Sequence, residues 1–276
     1  MIPSKLAERL SELGQDPEKI YSVRSRKAYL GEGNEKVAWF PQASYDGWGY
    51  RFDPISAIPV IALEPKKNEK ILDMCAAPGT KTILIAEMTN NEAYIVSNDI
   101  SKNRVMRLRE NIEKNNISAI VTNVSGRIIK ENFDKILIDA PCSSEGIINK
   151  KEKMFSTWSE RRIKFLAKKQ KKLISNAFNI LNDNGILVYA TCTFAPEENE
   201  EVVQFLLDKK SNAKLENIET KNITYSKGII EWHGKKFSKE MKKCIRIYPY
   251  QNETQGFFVA KIRKVKNKND KEKGIA

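Results

Sequence analysis

The chain has 276 residues, 41% of them hydrophobic and 9% aromatic, enough for one large domain or one domain with a small appendage. No stretch approaches the ~18 consecutive apolar residues of a membrane span, and the opening MIPSKLAERLSELG lacks a charged-then-apolar signal layout; a soluble cytoplasmic monomer is the expectation. The formal net charge of +13 points to a polyanionic partner, since neutralising phosphates releases counterions, while one histidine and four cysteines without a CxxC pair argue against zinc and against a disulfide framework.

In chain order, residues 1–68 hold a helical start and then the aromatic-rich AWFPQASYDGWGYRFDPISAIPVIAL, expected as an N-terminal lobe packed on the rest. KILDMC (70–75) is the first short apolar run, followed by a helical stretch from Thr80 to Met88. AYIVSND (93–99) is the second, and the helix after it, Ser101 to Asn115, repeats Val105, Leu108 and Ile112 at helical spacing. SAIVTNV (118–124) and DKILIDA (134–140) are the third and fourth, GILVYAT (185–191) the fifth, with a long amphipathic helix from Trp158 to Leu181 before the last. Another helix starts near Pro196, with PEEN in its first turn, and reaches about Asp208. Runs punctuated in this way read as buried parallel strands, and the strand–helix alternation predicts an α/β, doubly wound sheet over 69–264. Past residue 210 the alternation stops; CIRIYPY and QGFFVAKI predict an antiparallel hairpin closing one sheet edge, and 265–276 a frayed basic tail.

LDMCAAPGTKT joins the first strand to its helix. Ala76, Ala77 and Gly79 let a ligand approach the backbone, and the helix start offers free N–H groups. Neither GxxxxGK[ST] nor GxGxxG is present. Asp99 ends the second strand, where an acid accepts both ribose hydroxyl protons. An adenosine ligand without a phosphate motif fits S-adenosylmethionine better than a dinucleotide.

Five blocks now stand in order: DMCAAPGTKT, NDISKNR, DKILIDAPCSSEG, YATCTFAPEENEEVV and IRIYPYQNETQGFFVAKIRK. Together, across roughly residues 35–265, they resemble the RNA 5-methylcytosine methyltransferase family, the Nop/Sun group, and the compact length is similar to its archaeal transfer-RNA members. The resemblance implies a Rossmann-like class I methyltransferase with a mostly parallel seven-stranded sheet, S-adenosylmethionine as cofactor, no metal, and RNA, foremost tRNA, as partner. It implies that Cys75, Ala76, Ala77, Pro78, Gly79, Thr80 and Lys81 hold the cofactor, with Asp99, Arg104, Ser125 and Asp139. It puts the nucleophile at Cys192 and product release at Cys142, with Asp139 between cofactor and base. Two positions depart from the family pattern: Ser125 stands where an acid faces the adenine, and Phe52–Asp53, followed by Ser56, where a glutamine–aspartate pair precedes a serine.

The chemistry explains two thiols. Cytosine C5 is a poor nucleophile until a thiolate adds at C6, after which C5 takes the methyl and a second group assists elimination. Cys142 and Cys192 both follow strand ends, on the edge where open α/β sheets bind ligands. Physics alone does not rank them; Cys192 as nucleophile rests on the resemblance. A ribosomal-RNA enzyme and a non-catalytic RNA-binding relative are the alternatives. The basic stretch 149–172 and the lysines from Lys235 to Lys243 either contact RNA phosphates or coat a solvated surface, and Lys81 either reaches the active site or lies on its helix surface. His233 has no role in this chemistry.

Overall fold

The computed structural model describes residues 2–23, 28–30, 50–147 and 150–266. Two short helices, α1 (Ser4–Glu12) and α2 (Pro17–Ser22), open the chain; Asp16 caps the second by accepting from the backbone of Glu18 and Lys19. Strands β1 (Ala28–Leu30) and β2 (Tyr50–Phe52) pair antiparallel. A 3-10 turn capped by Asp53 then leads into α3 (Ile58–Leu63).

The sheet follows. Strands β3 (Lys70–Asp73), β4 (Tyr94–Asn98), β5 (Ala119–Thr122), β6 (Phe133–Asp139) and β7 (Leu181–Thr191) are mutually parallel. Between them run α4 (Thr80–Met88), α5 (Lys102–Lys114), α6 (Lys151–Thr157) and α7 (Glu160–Asn179). After β7 come α8 (Glu200–Lys209), β8 (Ala213–Glu216), β9 (Ser226–Lys227), β10 (Glu231–Trp232), β11 (Lys235–Lys236), β12 (Ile245–Ile247), α9 (Pro249–Asn252) and β13 (Phe257–Lys264). The order across the sheet is β5-β4-β3-β6-β7-β13-β12-β9, and β8 pairs with the far half of β13.

The sheet therefore has nine strands where seven were expected, and the β12–β13 hairpin is not its edge. The two additional strands are four and two residues long, too short to leave a periodic signal. The hairpin also carries a helical turn, started by Pro249, where a plain turn was expected.

Side chains alternate between the two faces, as strand geometry requires. Ile71, Leu137, Ile186 and Val188 face α3 and α4; Leu72, Ile136, Ile138, Leu187 and Tyr189 face α7 and α8. Residues 55–63 thus belong to the core under the sheet. The smaller cluster of Leu6, Leu10, Ile20 and Tyr21 packs α1 and α2 against Phe194 and Tyr248. The aromatic stretch 38–49 and the tail from 267 lie outside the described residues. No described helix is long and apolar enough to cross a membrane.

Because β4 and β5 lie to one side of β3 while β6 and β7 lie to the other, the strand order reverses between β3 and β6. The crevice beyond their carboxyl ends is the place where such sheets hold ligands.

Candidate active site

The β3–α4 loop turns sharply: the Ala77–Pro78 bond is cis and Gly79, at φ 114°, starts α4 in a conformation that a side chain rarely adopts. Ala76 and Ala77 pack on Leu108 and Ile112 of α5. The loop is tied across the sheet by Ala76 N–H donating to the Asn98 carbonyl at 2.7 Å and by the Asn98 amide donating to the Met74 carbonyl at 3.0 Å.

A cavity of about 210 Å³ opens here. Cys75, Asp99 and Ser125 line it from beyond successive strand ends, Arg104 from the first turn of α5, and Pro141 with Gln170 of α7 closes the other side. Asp99 is 1% exposed; its Oδ1 accepts from the Ser101 amide at 2.9 Å. Its Oδ2 lies 3.1 Å from an Arg104 guanidinium nitrogen yet accepts no hydrogen bond among the described residues. Arg104 itself donates to the Ala77 carbonyl. A buried carboxylate oxygen without a donor is costly unless a ligand supplies one, as a ribose hydroxyl would. Gln170 Oε1 is likewise buried and without a partner. The donor and acceptor set fits a nucleoside-bearing cofactor. Burial, and the surrounding carboxylates of Asp73, Asp99 and Asp139, push the Cys75 thiol far up, so it stays protonated. The Ser125 hydroxyl accepts from Arg127 Nε at 3.4 Å, and its carbonyl from the Ile128 amide at 2.9 Å.

Of the other residues expected to hold a cofactor, Lys81 and Asp139 pair with each other: Lys81 Nζ lies 2.7 Å from Asp139 Oδ2. Lys81 is buried, over the Phe257 ring at 5.3 Å, so it is not a surface lysine of α4. Ala76, Ala77, Pro78, Gly79, Thr80, Lys81 and Asp139, also expected to hold the cofactor, are not among the residues that line this cavity. Asp53 accepts the amides of Ile55 and Gln255, both at 3.1 Å, fastening the entry to α3 to the β13 hairpin.

The two cysteines meet. Cys142 Sγ and Cys192 Sγ are 3.3 Å apart, Cys142 buried and Cys192 partly exposed. Main-chain bonds lace their loops: Gly146 N–H donates to the Cys192 carbonyl, and Gly256 N–H to the Gly146 carbonyl, both at 2.9 Å. The approach is close enough that a Cβ on Gly146 would sit 2.5 Å from the Gly256 carbonyl oxygen. The hydrogen bond to Cys192, then burial, hold the Cys142 thiol well above its ordinary range.

Behind the thiols lies a layer that the sequence did not disclose. Glu198 accepts the Ser143 amide at 3.1 Å and the Gln170 amide at 2.8 Å. Glu145 accepts the Thr193 hydroxyl at 2.9 Å, the Phe194 amide at 3.0 Å and the Trp158 indole at 2.7 Å. Each carboxylate of this layer therefore spans both cysteine loops or ties one of them to α7. The residues after Cys192 read as first-turn acids of a helix; Glu198 and Glu200 are instead fully buried.

Burial raises three carboxyls, Glu198 to about 8, Asp73 to about 7 and Asp53 to about 6. Each keeps its proton in the folded chain over a pH range where the unfolded chain has lost it. Unfolding there releases protons, so stability falls as pH climbs from the ordinary carboxylate range to about 8. The melting temperature should drop by roughly 5–10 °C between about pH 5 and pH 8.5. Glu198→Gln should flatten the upper part of that decline. Calorimetry across the pH series checks this, and a melting temperature that climbs over the same range contradicts it.

The chain is similar to known proteins over most of its length. Residues 60–263 match the family model described as 16S rRNA methyltransferase RsmB/F. The chain is 45% identical over 213 residues to the tRNA (cytosine(49)-C(5))-methyltransferase of Pyrococcus abyssi, covering 76% of this chain and 68% of that one. It is 36% identical over 222 residues to the 25S rRNA (cytosine-C(5))-methyltransferase nop2 of Schizosaccharomyces pombe, covering 77% of this chain and 36% of the relative. The solved structure of NSun6 from Pyrococcus horikoshii with SFG superposes with a TM-score of 0.67 at 36% identity, over 79% of this chain and 54% of that one. The chain thus spans about half or less of the length of the second relative and of the solved chain.

Proposed function

The chain belongs to the 16S rRNA methyltransferase RsmB/F family and is an S-adenosylmethionine-dependent RNA cytosine-C5 methyltransferase; from that premise we propose that it works through a covalent bond from Cys192 to cytosine C6, with tRNA as its substrate. The observation that carries the mechanism is the 3.3 Å contact between the two thiols.

S-adenosylmethionine, when bound, supplies an electrophilic methyl group to the carbon that the protein has made nucleophilic. Asp99 and Arg104 would hold the ribose side of it, Cys75, Ser125 and Gln170 the remaining walls. Cys192, the more exposed thiol, forms the S–C6 bond as thiolate, and the ring electrons shift to C5. The Cys142 thiol, kept protonated by its surroundings, lies 3.3 Å from the Cys192 sulfur and is placed to donate to it. That division supports Cys192 as nucleophile on physical grounds that the sequence did not supply. Lys81 occupies Asp139 Oδ2, and Asp139 Oδ1 has no hydrogen bond among the described residues. The carboxylate is thereby fixed in orientation with one oxygen left to meet the base edge. Once the methyl is in place, the C5 proton leaves to a base assisted by Cys142, the S–C6 bond breaks, and the electron pair returns to Cys192.

The pairing with tRNA follows the Pyrococcus abyssi relative, at 45% identity. Incubation with labelled S-adenosylmethionine and fractionated cellular RNA should place 5-methylcytosine in the tRNA fraction. Label in ribosomal RNA alone would reassign the substrate, and RNA binding without any methylcytosine would favour a non-catalytic relative. The base has to be unpaired or flipped to enter such a crevice, at a few kcal/mol.

A further inference from the structure

A second concavity lies outside the crevice, between α7, α8 and the β10–β11 hairpin, with a volume of about 590 Å³. Two basic stretches about seventy residues apart in sequence converge on it. From α7 come Lys164, Lys168, Lys171 and Lys172, spaced i, i+4, i+7 and i+8, which sets them along one face of the helix. From the hairpin comes Lys235, aimed by a two-residue turn in which His233 and Gly234 both have positive φ. The floor is apolar: Ala167 of α7, Phe205 of α8 and the buried Trp232.

The charges in this groove do not cancel. Glu201 is shared by Lys171, at 3.6 Å, and Lys235, at 2.8 Å. Glu197 is engaged by Arg9 at 2.6 Å and by the Trp232 indole at 3.2 Å. Lys164, Lys168 and Lys172 are exposed and have no ion-pair partner among the described residues. They span eight residues of helix, about 12 Å, close to the rise of three or four nucleotides along one strand of a helical nucleic acid.

The groove also leads to the chemistry. A smaller concavity, lined by Arg9, Glu160, Lys164 and His233, continues it to the start of α7. There Ser159 caps the helix, directly after Trp158, whose indole holds the same Glu145 that binds the residues following Cys192. The start of α7 is thus linked both to this groove and, through Glu145, to the loop that carries Cys192.

We propose that this groove seats the phosphate backbone of the substrate RNA flanking the methylated base, with Lys164, Lys168 and Lys172 as its phosphate contacts. The inference rests on the reading of the chain as an RNA methyltransferase and extends it to a binding surface beyond the crevice. Phosphate neutralisation is salt-dependent, by about 0.7–0.9 in the log–log slope per contact.

The test compares the wild type with K164Q/K168Q/K172Q and with K66Q/K67Q/K114Q, which removes the same charge from exposed lysines before β3 and at the end of α5, outside the groove. Binding of an unmodified tRNA transcript is measured from about 50 to 200 mM salt, the range over which phosphate contacts are lost. The groove variant should lose about 2 units of slope. Its low-salt affinity should fall by roughly tenfold or more. It should raise KM for the transcript rather than lower kcat, and keep wild-type affinity for S-adenosylmethionine. The control variant should change the slope by well under half as much. An unchanged slope in the groove variant, or an equal loss in the control, overturns the proposal. Should the wild type leave tRNA unmethylated, the substrate assignment fails, and the same comparison on the RNA that does accept methyl still decides the groove.

Discussion

Cys192→Ala should abolish methyl transfer, by roughly 10³-fold or more, and with it any covalent complex formed on RNA carrying 5-fluorocytosine. Cys142→Ala should do something different in kind: accumulate a protein–RNA complex on unmodified cytosine that survives denaturing electrophoresis. The two sulfurs are in contact, yet their surroundings differ. Cys142 is buried, and its proton is held by the bond to Cys192; Cys192 is partly open to the crevice. A thiol that resists ionisation is a poor nucleophile and a serviceable donor. On the proposed mechanism, removing it leaves the attacking sulfur in place and takes away what assists elimination. Cys142→Ser, which keeps a donor, should restore part of the release rate. If the adduct is instead retained in Cys192→Ala and lost in Cys142→Ala, the roles are exchanged.

The second large effect concerns stability. Arg246 of β12 is buried, with Nε 2.7 Å and Nη2 2.5 Å from the two oxygens of Glu200. Its remaining terminal nitrogen donates to the Phe194 carbonyl at 2.9 Å. Glu200→Ala strands a guanidinium in the core and should destabilise the fold by about 3–5 kcal/mol. Arg246→Met should do the same from the other side. The double variant Glu200→Met with Arg246→Leu should recover much of that loss, because no charge is then left unpaired. Denaturant unfolding of the four proteins checks this. If the double variant is as unstable as the sum of the singles, the charges are not what the core depends on. Since Arg246 also holds the carbonyl two residues after Cys192, the single variants should lose activity beyond what unfolding accounts for.

Local patterns carried the architecture. Apolar runs ending in Asp73, Asp99 and Asp139, separated by amphipathic stretches, specify parallel strands and where their polar ends gather, and so predict that Cys142 and Cys192 share one edge. Two-residue and four-residue strands escape such reading because they hold no full period. The layer behind the thiols escaped for another reason. In PEENEE the acids suit a helix start, and helix logic leaves them exposed; only the Ser143 amide, Gln170 and Arg246, brought from distant elements, make burial tolerable. Lys81 was open between surface and site until the fold set Asp139 at 2.7 Å from it. The groove lysines were visible as two basic stretches, and their meeting required the hairpin to fold back along α7.

The main-chain lacing of Gly146 to Cys192 and of Gly256 to Gly146 has a mechanical meaning. Neither thiol hangs on a hinge of its own. With no room at Gly146 even for a methyl group, the two loops and the β13 hairpin are packed backbone to backbone. A substitution as small as Gly146→Ala should therefore displace both cysteine loops and the β13 hairpin together, rather than one thiol alone.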